Sequence, residues 1–292
     1  MSSPKVIVVG GGVIGVSCAY YLAKGGADVV VIEQEQIGAG ASSGNAGTIS
    51  AGHPPLNRPG RISKALIQML DPASPLYIHP SWNPSLWRWL VRFAGYCTEE
   101  HMEKAMRVMA PMGKKTLALF DELIRQERIE CEYRVDGYYD VCSTETGLAN
   151  ASHEADMISH HGYTPEVLDG DELQRREPAL GPCALGGIYY PESATLDPGL
   201  FLKRLTEVAK RRGVKIREGE RVRSVINEGG RVTGVRLERG GEERGDEVVL
   251  STGPLSLDLA RQVGTRLPVQ PGKGYHRDIP IGPNGALSLI HI

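Results

Sequence analysis

The sequence lacks the patterns that mark several large classes of protein. Its five cysteines include no C-x-x-C pair, and its 33 lysines and arginines are balanced by 35 aspartates and glutamates. There is no basic block, acidic tail, internal repeat or low-complexity tract, so nucleic acid is not expected as a partner. An odd number of cysteines without a signal-peptide pattern predicts free thiols in a reducing cytoplasm.

Patterns for hydrolytic or metal-dependent catalysis are also missing. We find no Ser-His-Asp arrangement and no paired carboxylates that would act as general acid and base. His153, His160 and His161 have no matched cysteine or acidic residues, so we interpret them as surface histidines at a helix end. No metal site is predicted.

A charge-free run, residues 6–23, raises the alternative of a signal peptide or a membrane span. Four glycines within the run, a β-branched beginning and the lack of a small-residue cleavage pattern argue against both. We therefore interpret the run as part of a folded α/β domain.

Residues 5–33 predict a strand, a tight glycine turn, a helix and a second strand. Gly10, Gly12 and Gly15 form G-x-G-x-x-G, in which the glycines allow a sharp turn, close approach of a pyrophosphate, and close packing of helix on strand. The helix N-terminus favours an anion. Glu33 ends the second strand, where an acid binds a ribose hydroxyl and disfavours the 2′-phosphate of NADP. The stretch predicts an adenine dinucleotide site.

The next stretch, residues 34–52, is rich in glycine, alanine and serine. Small residues let the backbone lie against a large ligand, and Ser42, Ser43 and Asn45 add groups that can bind phosphate or ring heteroatoms. A flexible linker is the alternative. The position directly after Glu33 favours a loop wrapped around a cofactor.

These residues resemble the FAD-dependent amine and amino-acid oxidoreductases, the family of D-amino-acid oxidase and of glycine and sarcosine oxidase. Within it, the resemblance to bacterial D-amino-acid dehydrogenases is greatest. It covers nearly the whole chain and rests on the segments VIVVGGGVIGVSCAYYLA, SSGNAGTISAG, PLYIHPSWNPSLWRWLVRFAGYC, VVLSTGP and PVQPGKGY.

The resemblance implies an α/β fold in which a Rossmann-like FAD-binding domain carries an inserted α+β substrate domain. We expect the FAD-binding domain at residues 1–85 and 197–266, and the substrate domain at 86–196 with a return at 267–292. FAD is the expected cofactor.

The predicted cofactor-binding residues come from both parts of this domain. By resemblance, Ser43 and residues 45–48 run along the pyrophosphate and flavin, and the backbone of Val222 lies against the adenine. The turn at residues 251–253 follows a buried strand, and ligands of such sheets bind beyond strand carboxyl ends. The full set is Gly10, Gly12, Val13, Ile14, Gly15, Glu33, Gln34, Ser42, Ser43, Asn45, Ala46, Gly47, Thr48, Val222, Ser251, Thr252 and Gly253.

The chemistry implied by the resemblance is oxidation of the C–N bond of a small amino acid, preferably a D-amino acid, to an imine by hydride transfer to flavin N5. A neutral amine drives the hydride out, so the protein needs positioning and electrostatics more than a strong base. Catalytic residues are left unassigned. Lys273, Tyr275 and His276 are candidates to face the flavin or substrate, on a predicted strand at residues 268–275.

Other interpretations remain open. One is a sarcosine, glycine or proline-type amine oxidase of the same fold, and another is an NAD-dependent or non-catalytic dinucleotide-binding protein. The electron acceptor is either oxygen or a membrane quinone. A Trp-rich helix at residues 85–96 either touches a membrane or packs on the protein. We expect a cytoplasmic protein, with a place at the inner face of the membrane as the alternative.

The last six residues, LSLIHI, match the translation of a common transposase sequencing adapter. The resemblance predicts a further stretch that supplies the arginine for the substrate carboxylate. We therefore expect the natural chain to diverge near Ala286, so that the substrate domain here is incomplete.

Overall fold

The chain forms two interleaved compact units. The structure is a computed structural model that describes residues 3–57, 59, 62, 68–69, 74, 78, 82–181 and 183–274. The first unit comprises Met1–Gly47, Leu123–Glu132 and Leu196–His276, and the second comprises Thr48–Glu122, Tyr133–Thr195 and Arg277–Ile292. The first segment of this unit thus ends at Gly47. The sequence predicted a first FAD-binding segment that extends to residue 85. The functional domains themselves stay a prediction.

Helices and strands are mixed along the chain, and the last five strands follow one another. In chain order they are β1 (Lys5–Val9), α1 (Val13–Lys24), β2 (Asp28–Ile32), β3 (Thr48–Ser50), α2 (Pro84–Gly95), α3 (Glu99–Glu127), β4 (Tyr138–Cys142), α4 (Glu145–Ser159), β5 (Glu166–Asp169), α5 (Gly170–Arg176), β6 (Gly186–Tyr190), β7 (Ser193–Thr195), α6 (Pro198–Arg211), β8 (Lys215–Arg217), β9 (Val222–Glu228), β10 (Arg231–Leu237), β11 (Glu242–Arg244), β12 (Glu247–Leu250), a 3₁₀ turn (Gly253–Leu255) and α7 (Ser256–Gln262).

A parallel sheet organises the first unit. Its strand order is β12-β1-β2-β8, and Val8 lies opposite both Val31 and Val249 in the register. Helix α1 connects β1 to β2, which gives the predicted strand–helix–strand unit. The β-branched strands are buried, as expected for a sheet that is covered on both faces.

Each face of this sheet has its own cover. On one face, Ile7 and Ile32 share a core with Val222 and Val235 of the antiparallel sheet β11-β10-β9, and with Leu259 of α7. Because side chains alternate along a strand, the buried Val6, Val8, Val29 and Val31 point to the opposite face. Helix α1 packs beside α6. The predicted Rossmann-like α/β class is confirmed.

The ends of α6 follow local sequence signals. Asp197 is the N-cap, with its carboxylate accepting the N–H of Leu200 at 2.8 Å, and Pro198 is the first helical residue. Gly213, with φ +91°, follows the helix in the left-handed region. These features fix where the chain re-enters the first unit.

The second unit contains two small antiparallel sheets, β4-β6-β5 and β3-β7. Leu168, Leu173 and Leu180 form one core cluster. Another cluster includes Ile188 and Tyr190 from β6. This mixture of short strands and helices matches the predicted α+β segment.

Helix α3 runs without interruption through Pro111. Proline removes one backbone donor, and the helix nevertheless continues for 29 residues. Its last turn, from Leu123, belongs to the first unit. Among the described residues, no helix is both long and apolar enough to cross a membrane.

Two predictions on the second half of the chain are wrong. His161 is not a surface residue, since its side chain is 14% exposed and its Nε2 lies 3.2 Å from Glu103 Oε2. His153 and His160 are exposed as predicted. The described residues 268–274 form no strand, because Pro268 and Pro271 have no N–H for a ladder. Tyr275, His276 and the LSLIHI tail lie outside the described residues.

Candidate functional site

A cleft of about 730 Å³ opens at the carboxyl ends of β1, β2 and β12. It lies entirely within the first unit, at the sheet edge where ligands of doubly wound folds bind. Most of the predicted cofactor-binding residues line it, namely Gly10, Gly12, Val13, Ile14, Glu33, Gln34, Ser42, Val222, Ser251, Thr252 and Gly253.

The glycine turn is shaped by close backbone contacts. Gly10 has φ +105°, and a Cβ atom there would lie 2.7 Å from the carbonyl oxygen of Ser251. A Cβ on Gly15 would lie 1.9 Å from the carbonyl oxygen of Gly10. Gly15 therefore lets α1 start directly against the turn, and Gly10 lets the end of β12 approach it.

The N-terminus of α1 offers backbone donors to the cleft. In the part of the chain that the structure describes, no protein acceptor takes the N–H groups of Gly12 or Ile14, which both line the cleft. A Cβ on Gly12 would meet just one atom within 4 Å, the hydroxyl oxygen of Ser42 at 3.0 Å. The backbone here is bare and partly positive, which suits a phosphate group.

Glu33 lies at the end of β2 and is held by the main chain. Its carboxylate accepts the N–H of Gly11 at 2.6 Å through Oε2 and the N–H of Glu35 at 3.0 Å through Oε1. A carboxylate has about four acceptor positions, so further donors such as ribose hydroxyls can still bind. The structure thus places Glu33 on the cleft wall beside the glycine turn.

The loop after Glu33 folds back on α1. The hydroxyl oxygen of Ser42 accepts the N–H of Val13 at 2.9 Å, which fastens the loop to the first turn of the helix. Ser43 packs against Gly38, where a Cβ would lie 2.6 Å from the serine hydroxyl. The loop is a defined structure and not a free linker.

Several predicted residues lie away from the cleft wall. Asn45 uses its side chain inside the loop, and Thr48 begins β3 in the second unit, opposite Thr195. The residues of the predicted set that do not line this cleft are Gly15, Ser43, Asn45, Ala46, Gly47 and Thr48. Their contact with a cofactor stays a prediction.

The turn after β12 is tied to the end of β1. The Ser251 N–H donates to the carbonyl of Val9 at 2.9 Å, and its hydroxyl donates to the same carbonyl at 2.8 Å. Thr252 and Ser256 share a hydroxyl hydrogen bond of 2.9 Å. The backbone from Ser251 to Gly253 is thereby held on the cleft wall.

Sequence reasoning missed part of the lining. Arg221 and Arg223, which flank Val222, line the cleft together with Glu238 and with Leu257 of α7. Arg221 and Glu238 are 3.9 Å apart and mostly exposed, so their attraction is weak. The alternation of arginine and valine in residues 221–223 is a sequence signal for charged side chains on one side of a strand. Only the fold shows that these side chains line the cleft.

The described residues fit an adenine dinucleotide. The donors of α1, the acidic Glu33 and the glycine backbone supply the complementary chemistry for phosphates and a ribose, and the buried Val222 adds an apolar contact surface. Among the described residues, the hydroxyl oxygen of Ser42 is the one atom within 4 Å of a Cβ placed on Gly12, so the backbone of Gly12 is open to a ligand.

Comparison with known proteins agrees with this chemistry. A family model described as FAD dependent oxidoreductase matches residues 5–290. The D-amino acid dehydrogenase of Methylobacterium nodulans is 34% identical over 97% of this chain and 68% of that protein. That of Xanthobacter autotrophicus is 32% identical over 95% of this chain and 67% of its own length.

Solved structures share the fold. Glycine oxidase from Bacillus cereus superposes with a TM-score of 0.61 at 23% identity, over 89% of this chain and 58% of that one. L-Amino acid deaminase from Proteus myxofaciens gives a TM-score of 0.63 at 19% identity, over 91% of this chain and 49% of the other. The chain therefore spans about two thirds of its curated relatives and a smaller share of these two structures.

Proposed function

Because this chain belongs to the FAD-dependent oxidoreductase family, we propose that it oxidises the C–N bond of a small amino acid, with D-amino acids preferred. The D-amino acid dehydrogenases among its relatives support the substrate class. The observation that carries the proposal is the open N-terminus of α1 beside Glu33, in a cleft whose walls fit FAD.

The residues of the first unit would hold the cofactor by its adenosine and phosphates. The N–H groups of Gly12 and Ile14 would donate to phosphate oxygens, and Glu33 would accept from the ribose. The backbone of residues 251–253 would border the same site. FAD, when bound, supplies a two-electron acceptor for a hydride at flavin N5.

The chain's contribution to the reaction is mainly positional. Removal of a hydride from the α-carbon needs a neutral amine, so the substrate must lose one ammonium proton to water before the step. The resulting imine hydrolyses in water to a keto acid and ammonia. Balanced in this way, the reaction requires no protein nucleophile, and we assign no catalytic side chain.

A second candidate is an amine oxidase that acts on glycine, sarcosine or proline-type substrates. The fold shared with glycine oxidase favours it. The two candidates differ in substrate and in the final electron acceptor. For the dehydrogenase we propose a quinone at the inner face of the membrane, and for the oxidase we propose oxygen. Helix α2 would suit the membrane contact, since Trp87 is half-exposed and Arg88 and Arg92 lie one turn apart with no acidic residue between them.

Visible absorption of the purified chain tests the proposal. Flavin bands that bleach anaerobically with D-alanine would support the first function. Bleaching with sarcosine or glycine alone would favour the oxidase, and oxygen consumption would then measure the acceptor. A protein that retains no flavin after incubation with FAD would contradict both.

A further inference from the structure

Asn45 has an unusual position among the predicted cofactor ligands, because its side chain faces its own loop. The amide nitrogen donates to the carbonyls of Ala41 at 3.0 Å and Ser42 at 3.1 Å, and the amide oxygen accepts the N–H of Gly47 at 2.8 Å. An asparagine amide has two N–H donors, and both are used here. Asn45 is also absent from the cleft wall, whereas Ser42 is on it.

The residues that Asn45 holds are themselves attached to the rest of the first unit. Ser42, whose carbonyl binds Asn45, accepts the N–H of Val13 through its hydroxyl oxygen at 2.9 Å. That hydroxyl keeps its own proton to donate, so Ser42 presents a donor next to the free N–H groups of α1. The amide of Asn45 thus fixes the backbone that carries this donor.

The other end of the loop is fixed by Gly47. It has φ +66°, and a Cβ there would lie 1.9 Å from the carbonyl oxygen of Leu196. The Leu196 N–H donates to the carbonyl of Gly47 at 3.1 Å. Asn45 therefore joins a segment bound to α1 with a segment bound to the start of α6.

We propose that Asn45 is a positioning residue, whose amide holds residues 41–47 in the shape that receives FAD before FAD arrives. The inference rests on the proposed function and deepens it, since it assigns to Asn45 a role other than contact with the cofactor. Without these three hydrogen bonds, binding would have to order the loop, and that ordering would lower the affinity.

Two variants of Asn45 and a matched control test the proposal. Asn45→Asp keeps the size and one acceptor but sets a carboxylate against two carbonyls, and Asn45→Ala removes the amide without adding charge. Gln36→Glu is the control, because Gln36 is exposed, lies in the same loop region off the cleft wall, and makes no side-chain hydrogen bond with the described chain. It adds the same negative charge as Asn45→Asp.

Dissociation constants for FAD should separate the variants. We expect the constant to rise about tenfold or more for both Asn45 variants and less than about twofold for Gln36→Glu. Without FAD, hydrogen exchange at the Gly47 amide should be about tenfold or more faster in Asn45→Ala than in the unaltered chain, because its acceptor is gone. Thermal unfolding without FAD should be similar in all four proteins.

Each contrary result has a distinct meaning. Unchanged FAD affinity in both Asn45 variants would overturn the positioning role and leave the proposed function standing. A large loss of thermal stability without FAD would show that Asn45 supports the fold in general, which also overturns it. Failure of the unaltered chain to bind FAD would overturn the proposed function and this inference with it.

Discussion

Gly10 and Ser251 are interlocked at the base of the cleft. The hydroxyl of Ser251 lies 3.1 Å from the carbonyl oxygen of Gly10, and the carbonyl oxygen of Ser251 lies 2.7 Å from where a Cβ on Gly10 would stand. The two residues are 241 positions apart in the chain. The end of β12 and the turn after β1 therefore fit together only while residue 10 has no side chain.

Replacement of Gly10 by alanine should destabilise the fold more than an equivalent change elsewhere. Gly26 is the matched control, because its φ is +93° and nothing lies within 4 Å of its would-be Cβ. We expect Gly26→Ala to cost about 1–2 kcal/mol from its backbone conformation alone. Gly10→Ala should cost about 1–3 kcal/mol more, since it adds a clash. Urea unfolding of both variants measures the difference, and equal losses would refute the contact.

Loss of the Glu33 carboxylate should weaken FAD binding. Glu33→Ala removes the acceptor for the Gly11 and Glu35 N–H groups and the proposed ribose ligand. Hydrogen bonds to charged groups contribute about 1.5–3 kcal/mol, so the dissociation constant should rise about 10- to 100-fold. Isothermal titration calorimetry with FAD measures it. Glu130→Ala is the control for charge, because Glu130 is exposed and off the cleft wall, and an equal loss there would count against the assignment.

The buried Tyr20 should make stability depend on alkaline pH. Its hydroxyl donates to Glu127 at 2.6 Å, and burial together with that carboxylate raises the pKa of Tyr20 to about 12. A phenol whose pKa is higher in the folded than in the unfolded state stabilises the fold. This stabilisation is complete below the unfolded-state pKa of about 10, and it is lost as the pH rises from there to the folded-state pKa of about 12. A rise of the Tyr20 pKa from 10.0 to about 12 corresponds to roughly 2–3 kcal/mol of stability.

Comparison with Tyr20→Phe isolates this effect. The difference in free energy of unfolding between the unaltered chain and the variant should shrink as the pH rises above about 10. Urea titrations at about pH 9 and about pH 11 measure the change. A difference that stays constant over this range would show that the Tyr20 pKa is not raised.

Acid should act on the same cluster through Glu127. Burial opposes ionisation of this carboxyl, but hydrogen bonds from Tyr20 and Arg212 outweigh burial and lower its pKa. A lowered folded-state pKa gives stability that is present above the unfolded pKa and is lost as the pH falls through the folded one. Glu127→Gln should therefore be less sensitive than the unaltered chain to acid unfolding, which circular dichroism can follow from about pH 5 downward.

The core of the second unit should tolerate truncation poorly. Leu173 is fully buried between Leu168 and Leu180, so Leu173→Ala should cost about 2–5 kcal/mol. Val167→Ala is the control on the neighbouring strand β5, because Val167 is exposed and should lose little. Equal losses in urea unfolding would contradict the described packing.

Strong local signals predicted the long elements well. The β-branched run of β1, the glycine turn, and the Asp197-Pro198 start of α6 each specify a local conformation that the fold keeps. The short strands β3 and β7 were not predicted, because three residues carry no detectable period and their pairing depends on a distant partner.

By itself, the sequence determined the strand–turn–helix–strand unit that carries Gly10, Gly12, Gly15 and Glu33, since the β-branched runs and the glycine spacing specify that local geometry. Only the tertiary structure decided that Ser251 closes on Gly10, that Arg221 and Arg223 line the cleft, and that Asn45 binds its own loop. The first two relationships depend on segments far apart in the chain. The hydrogen bonds of Asn45 join residues two to four positions apart, but they depend on a loop conformation that the composition of the loop does not specify.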